Sequence, residues 1–399
     1  MGTIVRAKSV LSDSRTLLRG KSVRVSRGRI SEIGDFNALV SRNSGDRVLD
    51  FPNAAVLPGF INSHCHLELD WCKGRIGYNG NFIDWLQSIR DIKFGPNPPV
   101  PDPFPSIREM FSTGTTTLVD HYTMDVPIAR VRATGLRYFP MREMFEFNNH
   151  EPDIKKLAAH TAYSFAVHAP YTASKEIALA CKSLADSWRR PISTHLSEMR
   201  AEIEFIRTGN EDIERLLKKG DAHDPHWQGA GMTPVEYYYR LGMLGRRTYG
   251  IHLNYWEEND LYYLAKSGLT PVYCPKSHRY FRHPKHPVET YMRAGLCVAL
   301  GTDSYASNDR LSVLHEARLV LETFPDMPLA ALFDMITING LRPLGLHHDL
   351  GRVRLGCIGD LTVWPGVAGE SADEVIREIV TGHETCAATM VAGRVVHTD

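Results

Sequence analysis

The stretch Leu57-Pro-Gly-Phe-Ile-Asn-Ser-His-Cys-His-Leu-Glu68 joins an apolar run to two histidines one residue apart. On an extended strand, positions i and i+2 project to the same face. If residues 59–63 form a strand, His64 and His66 leave its end with both imidazoles on one side, close enough to share a metal ion. A His-x-His pair alone is weak evidence and is more often structural. The rest of the chain decides the matter, because further histidines and acids stand at the ends of later strand-like runs.

Working outward, strand-like runs recur at 59–63, 115–120, 136–140, 164–168, 192–196, 248–253, 270–274 and 296–303. Helix-length amphipathic stretches lie between most of them, such as 174–188, 199–219 and 259–267. Eight strands alternating with helices predict an α/β chain built as a (β/α)8 TIM barrel. Val298-Ala-Leu-Gly301 is apolar throughout, as a strand buried on both faces should be. The Pro-rich stretch 95–105 reads as a loop within the barrel. Both ends differ from this middle. Residues 22–25 and 29–33 alternate around a turn at Arg27-Gly28, and 360–364, 387–391 and 394–397 do the same near the C-terminus. They predict a small β-sandwich domain composed of residues 1–56 and 350–399, around a barrel of residues 57–349.

Bulk properties exclude several classes. The chain has 399 residues, enough for one large barrel and an accessory module. Lys+Arg and Asp+Glu are 46 each, so nothing global points to nucleic acid or an anionic membrane. No stretch reaches the ~20 apolar residues of a membrane span, and residues 1–19 lack the apolar block of a signal peptide. The 7 cysteines are scattered with no Cys-x-x-Cys pair, which fits free thiols in a reducing cytoplasm.

In a barrel of this type, active sites form at the C-terminal ends of the strands. Strand one ends in His64 and His66, strand four in His168, and strand five in His195 with Glu198 three residues on. Strand six ends in His252 and strand eight in Asp303. A catalytic Zn²⁺ or Fe²⁺ takes three or four N/O ligands and keeps a position open for water. It lowers the pKa of that water towards ~7. A nearby carboxylate that is not a ligand can then shuttle protons, and Glu198 suits that role.

These motifs resemble the amidohydrolase superfamily, and within it the mononuclear aminohydrolase and chlorohydrolase branch, which includes guanine, cytosine and S-adenosylhomocysteine deaminases. The matching stretches are Leu57–Glu68, 167–174, 194–198, 250–253, 300–304, Ser307-Asn308, 337–340 and 359–361. The resemblance implies one divalent metal per chain, zinc or iron, bound by His64, His66, His195 and Asp303. It implies that His252 contacts the metal-bound water. Glu198 would carry a proton to a substrate ring nitrogen, and Asp303 would help pass one to departing ammonia. His168 and Trp85, the latter in Phe82-Ile-Asp-Trp-Leu-Gln87, would lie against the substrate. Strand four reads Tyr163-Ser-Phe-Ala-Val-His-Ala169, without the lysine that bridges two metals in binuclear relatives.

The loop after strand seven departs from the branch. Where Cys-Pro-x-Ser-Asn is usual, this chain reads Cys274-Pro-Lys-Ser-His278-Arg-Tyr-Phe-Arg-His283. His278 thus becomes a candidate substrate contact. Arg279, Arg282 or Lys285 could meet a carboxylate or phosphate on the distal part of a substrate, although such a stretch is more often a solvated loop.

Plainer readings stand beside these. Glu198 could be an acid favoured at a helix start, His252 a satisfied buried histidine, and His168 a strand cap. Cys65 and Cys274 read as packing residues beside the site. Arg19-Gly-Lys-Ser22 lacks the first glycine of a P-loop, and no nucleophile elbow is present. The implied reaction is hydrolytic deamination of a purine, purine nucleoside or related N-heterocycle, with metal-bound hydroxide attacking the amino-bearing carbon. Aminodeoxyfutalosine, an adenine-containing molecule with a carboxylate, is one candidate substrate. Alternatives are a chlorohydrolase or formimino-type deiminase using the same hydroxide, and a non-catalytic scaffold. The substrate is a small molecule in either enzymatic reading. Relatives of this branch are often dimers, so a homodimer is the assembly the resemblance implies.

Overall fold

The computed structural model describes residues 2–124, 126–145, 147, 152–220 and 222–399. Eight parallel strands form one sheet in chain order: Phe60–Cys65, Thr115–Tyr122, Arg137–Met144, Ser164–Val167, Ile192–Leu196, Thr248–His252, Thr270–Tyr273 and Ala299–Leu300. The sheet closes where the chain beyond the eighth strand meets the first. There Thr302 N and Asp303 N donate to His64 O at 3.0 and 3.2 Å, and Cys65 bridges Asp303. This is the (β/α)8 barrel that the strand spacing predicts.

The seam is tight. A Cβ at Gly301 would stand 2.8 Å from the His64 Cβ and 3.0 Å from the His64 backbone N and O. Gly301→Ala is therefore expected to cost roughly 1–3 kcal/mol through overpacking and to push His64 out of place. Thermal melting and metal retention check this; wild-type values for both would show that the seam absorbs the methyl group.

Helices dock outside the barrel through apolar stripes. In Lys175–Ser187, Ile177, Cys181 and Ala185 recur at a spacing of four and are buried, and the Ser174 hydroxyl accepts from Ile177 N at the N-terminus. The stretch 199–219 is two helices, Arg200–Thr208 and Glu211–Lys219. Gly209, at φ 96°, ends the first, and the Asn210 side chain accepts from Asp212 N and Ile213 N to start the second.

Strands from both ends of the chain build the remaining structure. Gly2–Arg6, Ser22–Ser26, Arg29–Gly34 and Arg47–Asp50 form a four-stranded sheet. Ser9–Asp13, Thr16–Arg19, Ala54–Pro58, Leu361–Pro365, Ala388–Val391 and Arg394–Thr398 form a six-stranded one. Val5, Val23 and Val25 of the first sheet share a core with Val56, Val363 and Met390 of the second, so the sheets make a sandwich. One segment crosses over: Val375, Ile376 and Ile379 of the helix Ala372–Gly382 join the main barrel core. Among the described residues no helix is long and apolar enough to cross a membrane.

Candidate active site

A cavity of about 370 Å³ opens at the C-terminal ends of the barrel strands. His66, Glu143, His168, His195, His252 and Asp303 contribute to its polar wall, and Phe82, Trp85, Ile89, Phe94 and Leu217 to its apolar one. His64 lies directly beneath, fully buried.

One nitrogen from each of His64, His66, His121 and His195 lies within 4.8 Å of the others. Asp303 Oδ1 stands 3.6 Å from His64 Nε2 and 3.9 Å from His66 Nε2. Burial, reinforced by the neighbouring imidazoles, holds His64 and His66 well below the usual histidine pKa, so both present neutral rings with lone pairs. Both nitrogens of His64 are buried without a hydrogen-bond partner. Orphaned nitrogens at this depth are costly unless something else occupies them. His195 Nδ1 faces the His168 carbonyl at 2.8 Å; donating there leaves Nε2 free to ligate. Asp303, at φ 56°, accepts from Ser277 Oγ at 2.8 Å and Ser307 Oγ at 2.6 Å through Oδ2, which leaves Oδ1 for the histidines. Three neutral imidazoles and one carboxylate suit a divalent ion such as zinc.

Glu198 lies beside this group, 3.2 Å from His252 Nε2 through Oε1. Burial first, then the negative charge of Asp303, holds its carboxyl well above the usual range. The Glu202 carboxylate fixes the turn that presents it, accepting from Ser197 N and Glu198 N at 2.8 Å each. Asn254 Nδ2 donates to Glu198 O at 3.1 Å. His252 has φ 69° and Leu253 φ 49°. His286 Nε2 faces the His252 carbonyl at 2.9 Å and Tyr291 OH donates to Leu253 O at 2.9 Å, pinning this unusual backbone.

His168 and Trp85 both line the cavity. The His168 ring lies 4.2 Å from that of Phe145, and its Nδ1 faces Thr172 Oγ1 at 2.6 Å. Trp85 packs edge-on against Phe281 at 4.7 Å. His278 is elsewhere: it is buried with Tyr273, His283 and His286 and does not line the cavity. The neighbouring bases do not face the cavity either. Arg279 pairs with Glu322 at 2.7 Å, Lys276 with Asp309 at 3.2 Å and Lys285 with Glu289 at 3.5 Å. These pairs favour the solvated-loop reading of this stretch over the anion-site alternative. Burial pushes the thiols of Cys65 and Cys274 well up, in keeping with packing rather than nucleophilic roles.

The sequence reading missed four polar residues of the site. His121 and Glu143 leave the second and third strands, which run further than the pattern indicated. Arg90 and Lys93 come from the helix Phe82–Lys93 and line the cavity. Lys93 forms a buried ion pair with Glu68, which also accepts from Thr123 N at 2.7 Å and Met124 N at 2.6 Å. Arg90 makes no ion pair with a described residue.

Residues 55–396 match the amidohydrolase family, and the chain belongs to that family. It is accordingly a hydrolase of carbon–nitrogen bonds other than peptide bonds. It is 27% identical to a 5-methylthioadenosine/S-adenosylhomocysteine deaminase of Nitratidesulfovibrio vulgaris, over 100% of this chain and 92% of that protein. It is 28% identical to a 5'-deoxyadenosine deaminase of Methanothrix thermoacetophila, over 90% and 84%. The fold matches Helicobacter pylori aminofutalosine deaminase in complex with methylthio-coformycin, with a TM-score of 0.86, 21% identity and coverage of 99% and 100%. It also matches a Xanthomonas campestris adenosine deaminase with bound zinc, with a TM-score of 0.82, 22% identity and coverage of 98% and 92%.

Proposed function

We propose that this chain is a metal-dependent deaminase of a purine nucleoside, releasing ammonia from an adenine-type ring. The observation that carries the reading is the convergence of His64, His66, His195 and Asp303 on one point, with the Glu198–His252 pair beside it at the floor of a largely apolar cavity. The deaminase names of the relatives support the choice of leaving group and ring. A divalent ion held by these four residues, zinc before iron on its N/O ligand set, would supply a water acidic enough to react near neutral pH.

The chain's own groups then do the following. Glu198, as a carboxylate beside the site, takes a proton from the attacking water and delivers it to a ring nitrogen. His252 steers that water through its contact with Glu198. Asp303, with Oδ2 steadied by Ser277 and Ser307, takes the second proton of the attacking water and passes it to the departing ammonia. His168 and Phe145 flank the ring on one side, and Trp85 and Phe82 supply an apolar wall for the remainder of the nucleoside. The seven cysteines, scattered without a Cys-x-x-Cys pair, support a reducing compartment such as the cytoplasm.

Arg90 is the cation placed to meet an acidic group on the distal part of the substrate. The test is ammonia release from adenosine, 5'-deoxyadenosine and adenine nucleosides carrying a carboxylate on the 5' substituent, using zinc-reconstituted protein. Arg90→Ala should raise KM about tenfold for the carboxylated nucleosides and leave 5'-deoxyadenosine unchanged. Chloride release from a chlorinated triazine, with no ammonia from any nucleoside, would favour the chlorohydrolase alternative. An equal KM change for all nucleosides would remove Arg90 from carboxylate recognition.

A further inference from the structure

A polar layer lies beside the ligand histidines, and the proposed chemistry makes no use of it. Glu143, on the third barrel strand, is buried. Its Oε1 lies 3.3 Å from His121 Nδ1 and 3.7 Å from His195 Nδ1, and its Oε2 lies 3.8 Å from His66 Nδ1. One carboxylate thus faces the Nδ1 edges of three imidazoles. His121 continues the chain, with Nε2 2.8 Å from Ser193 Oγ.

The partners of these nitrogens separate their roles. Both nitrogens of His121 are engaged, one by Glu143 and one by Ser193, so His121 has no free lone pair for a metal although it lies within the cluster. His66 is the opposite case: its Nδ1 is buried without a hydrogen-bond partner. An imidazole that offers Nε2 to a metal carries its proton on Nδ1 and needs an acceptor there. His195 has the His168 carbonyl for this purpose. For His66 the facing group is Glu143. A ligand imidazole also becomes a stronger donor when its ring gives electron density to a cation, which strengthens its attraction to a carboxylate.

We propose that Glu143, backed by His121 and Ser193, is a positioning residue that orients His66 and thereby sets the affinity of the site for its metal. This rests on the ligand reading above. Glu143 acts through His66 and not on the nucleoside, even though it also lines the cavity.

The test is zinc affinity of the full-length protein, measured by competition with a chromophoric chelator, together with the visible absorption spectrum of the Co²⁺-substituted protein. Glu143→Gln is expected to weaken zinc binding about 10–100-fold and to shift the Co²⁺ bands. Wild-type zinc affinity and an unshifted Co²⁺ spectrum with a raised KM would overturn the proposal and make Glu143 a substrate contact. Glu143→Asp keeps the charge and withdraws it by one methylene, so it serves where the glutamine variant does not fold. It too should bind zinc more weakly, and wild-type affinity in it overturns the proposal. His64→Ala separates the two ways of failing. Metal loss in His64→Ala with full affinity in both Glu143 variants rejects Glu143 alone. Full affinity in all three rejects the ligand set as well.

Discussion

Glu198→Gln is expected to retain its metal while kcat falls by roughly 10²–10⁴, the usual share of a general acid–base group. The substitution keeps the shape of the side chain and removes the proton that it would carry. The surrounding structure should hold, because the turn is fixed by Glu202 through the backbone N–H groups of Ser197 and Glu198 and by Asn254 through the Glu198 carbonyl. None of those contacts uses the Glu198 carboxyl. The contact that changes is the one with His252 Nε2 at 3.2 Å. KM should move little, since Glu198 is one of many residues on the wall. Steady-state ammonia release and metal content on the same preparation check the prediction. A kcat near the wild-type value in metal-replete protein would contradict the proton-carrier role.

The barrel was legible because its signals are local and periodic. Apolar runs of strand length, separated by helix-length amphipathic stretches, locate strands without knowledge of their partners. A polar residue just past each run then marks the active end of the barrel. His64, His66, His195, His252 and Asp303 were found this way, and the structure brings them within reach of one another.

Where the reading stopped short, the reason was strand length. It ended the second strand at Asp120 and the third at Pro140, a residue that forfeits a ladder N–H. The third strand instead continues to Met144, paired with the second strand through Arg142 and with the fourth from Met141 onward. Neighbours on both sides outweigh one missing bond. His121 and Glu143 lie in the residues thus lost. The basic loop was left with two readings, solvated surface or anion site, because composition says which charges a segment carries and nothing about where they point. Arg279 extends towards Leu319, Glu322 and Thr323 on the helix Val313–Thr323, while Arg90, inconspicuous in sequence, faces the cavity.

Asp303→Asn should be more damaging than Glu198→Gln, because one carboxylate serves two purposes. Its Oδ1 faces His64 and His66 at 3.6 and 3.9 Å, and its Oδ2 collects two serine hydroxyls. An asparagine must direct its NH₂ either at the imidazole lone pairs or at hydroxyls that now donate. The first orientation puts N–H hydrogens where the metal needs a lone pair, and the second sets donor against donor or turns the serines away. The site also loses the one anionic ligand among its four. The variant is expected to lose zinc on dialysis against a mild chelator, and kcat/KM should fall by at least about 10³ even when zinc is returned, since proton delivery to ammonia is lost with the carboxylate. Full recovery of kcat in excess zinc would show that Asp303 is a ligand only. Stoichiometric zinc after dialysis, with kcat still depressed, would show the reverse, a proton carrier whose share in holding the metal is small.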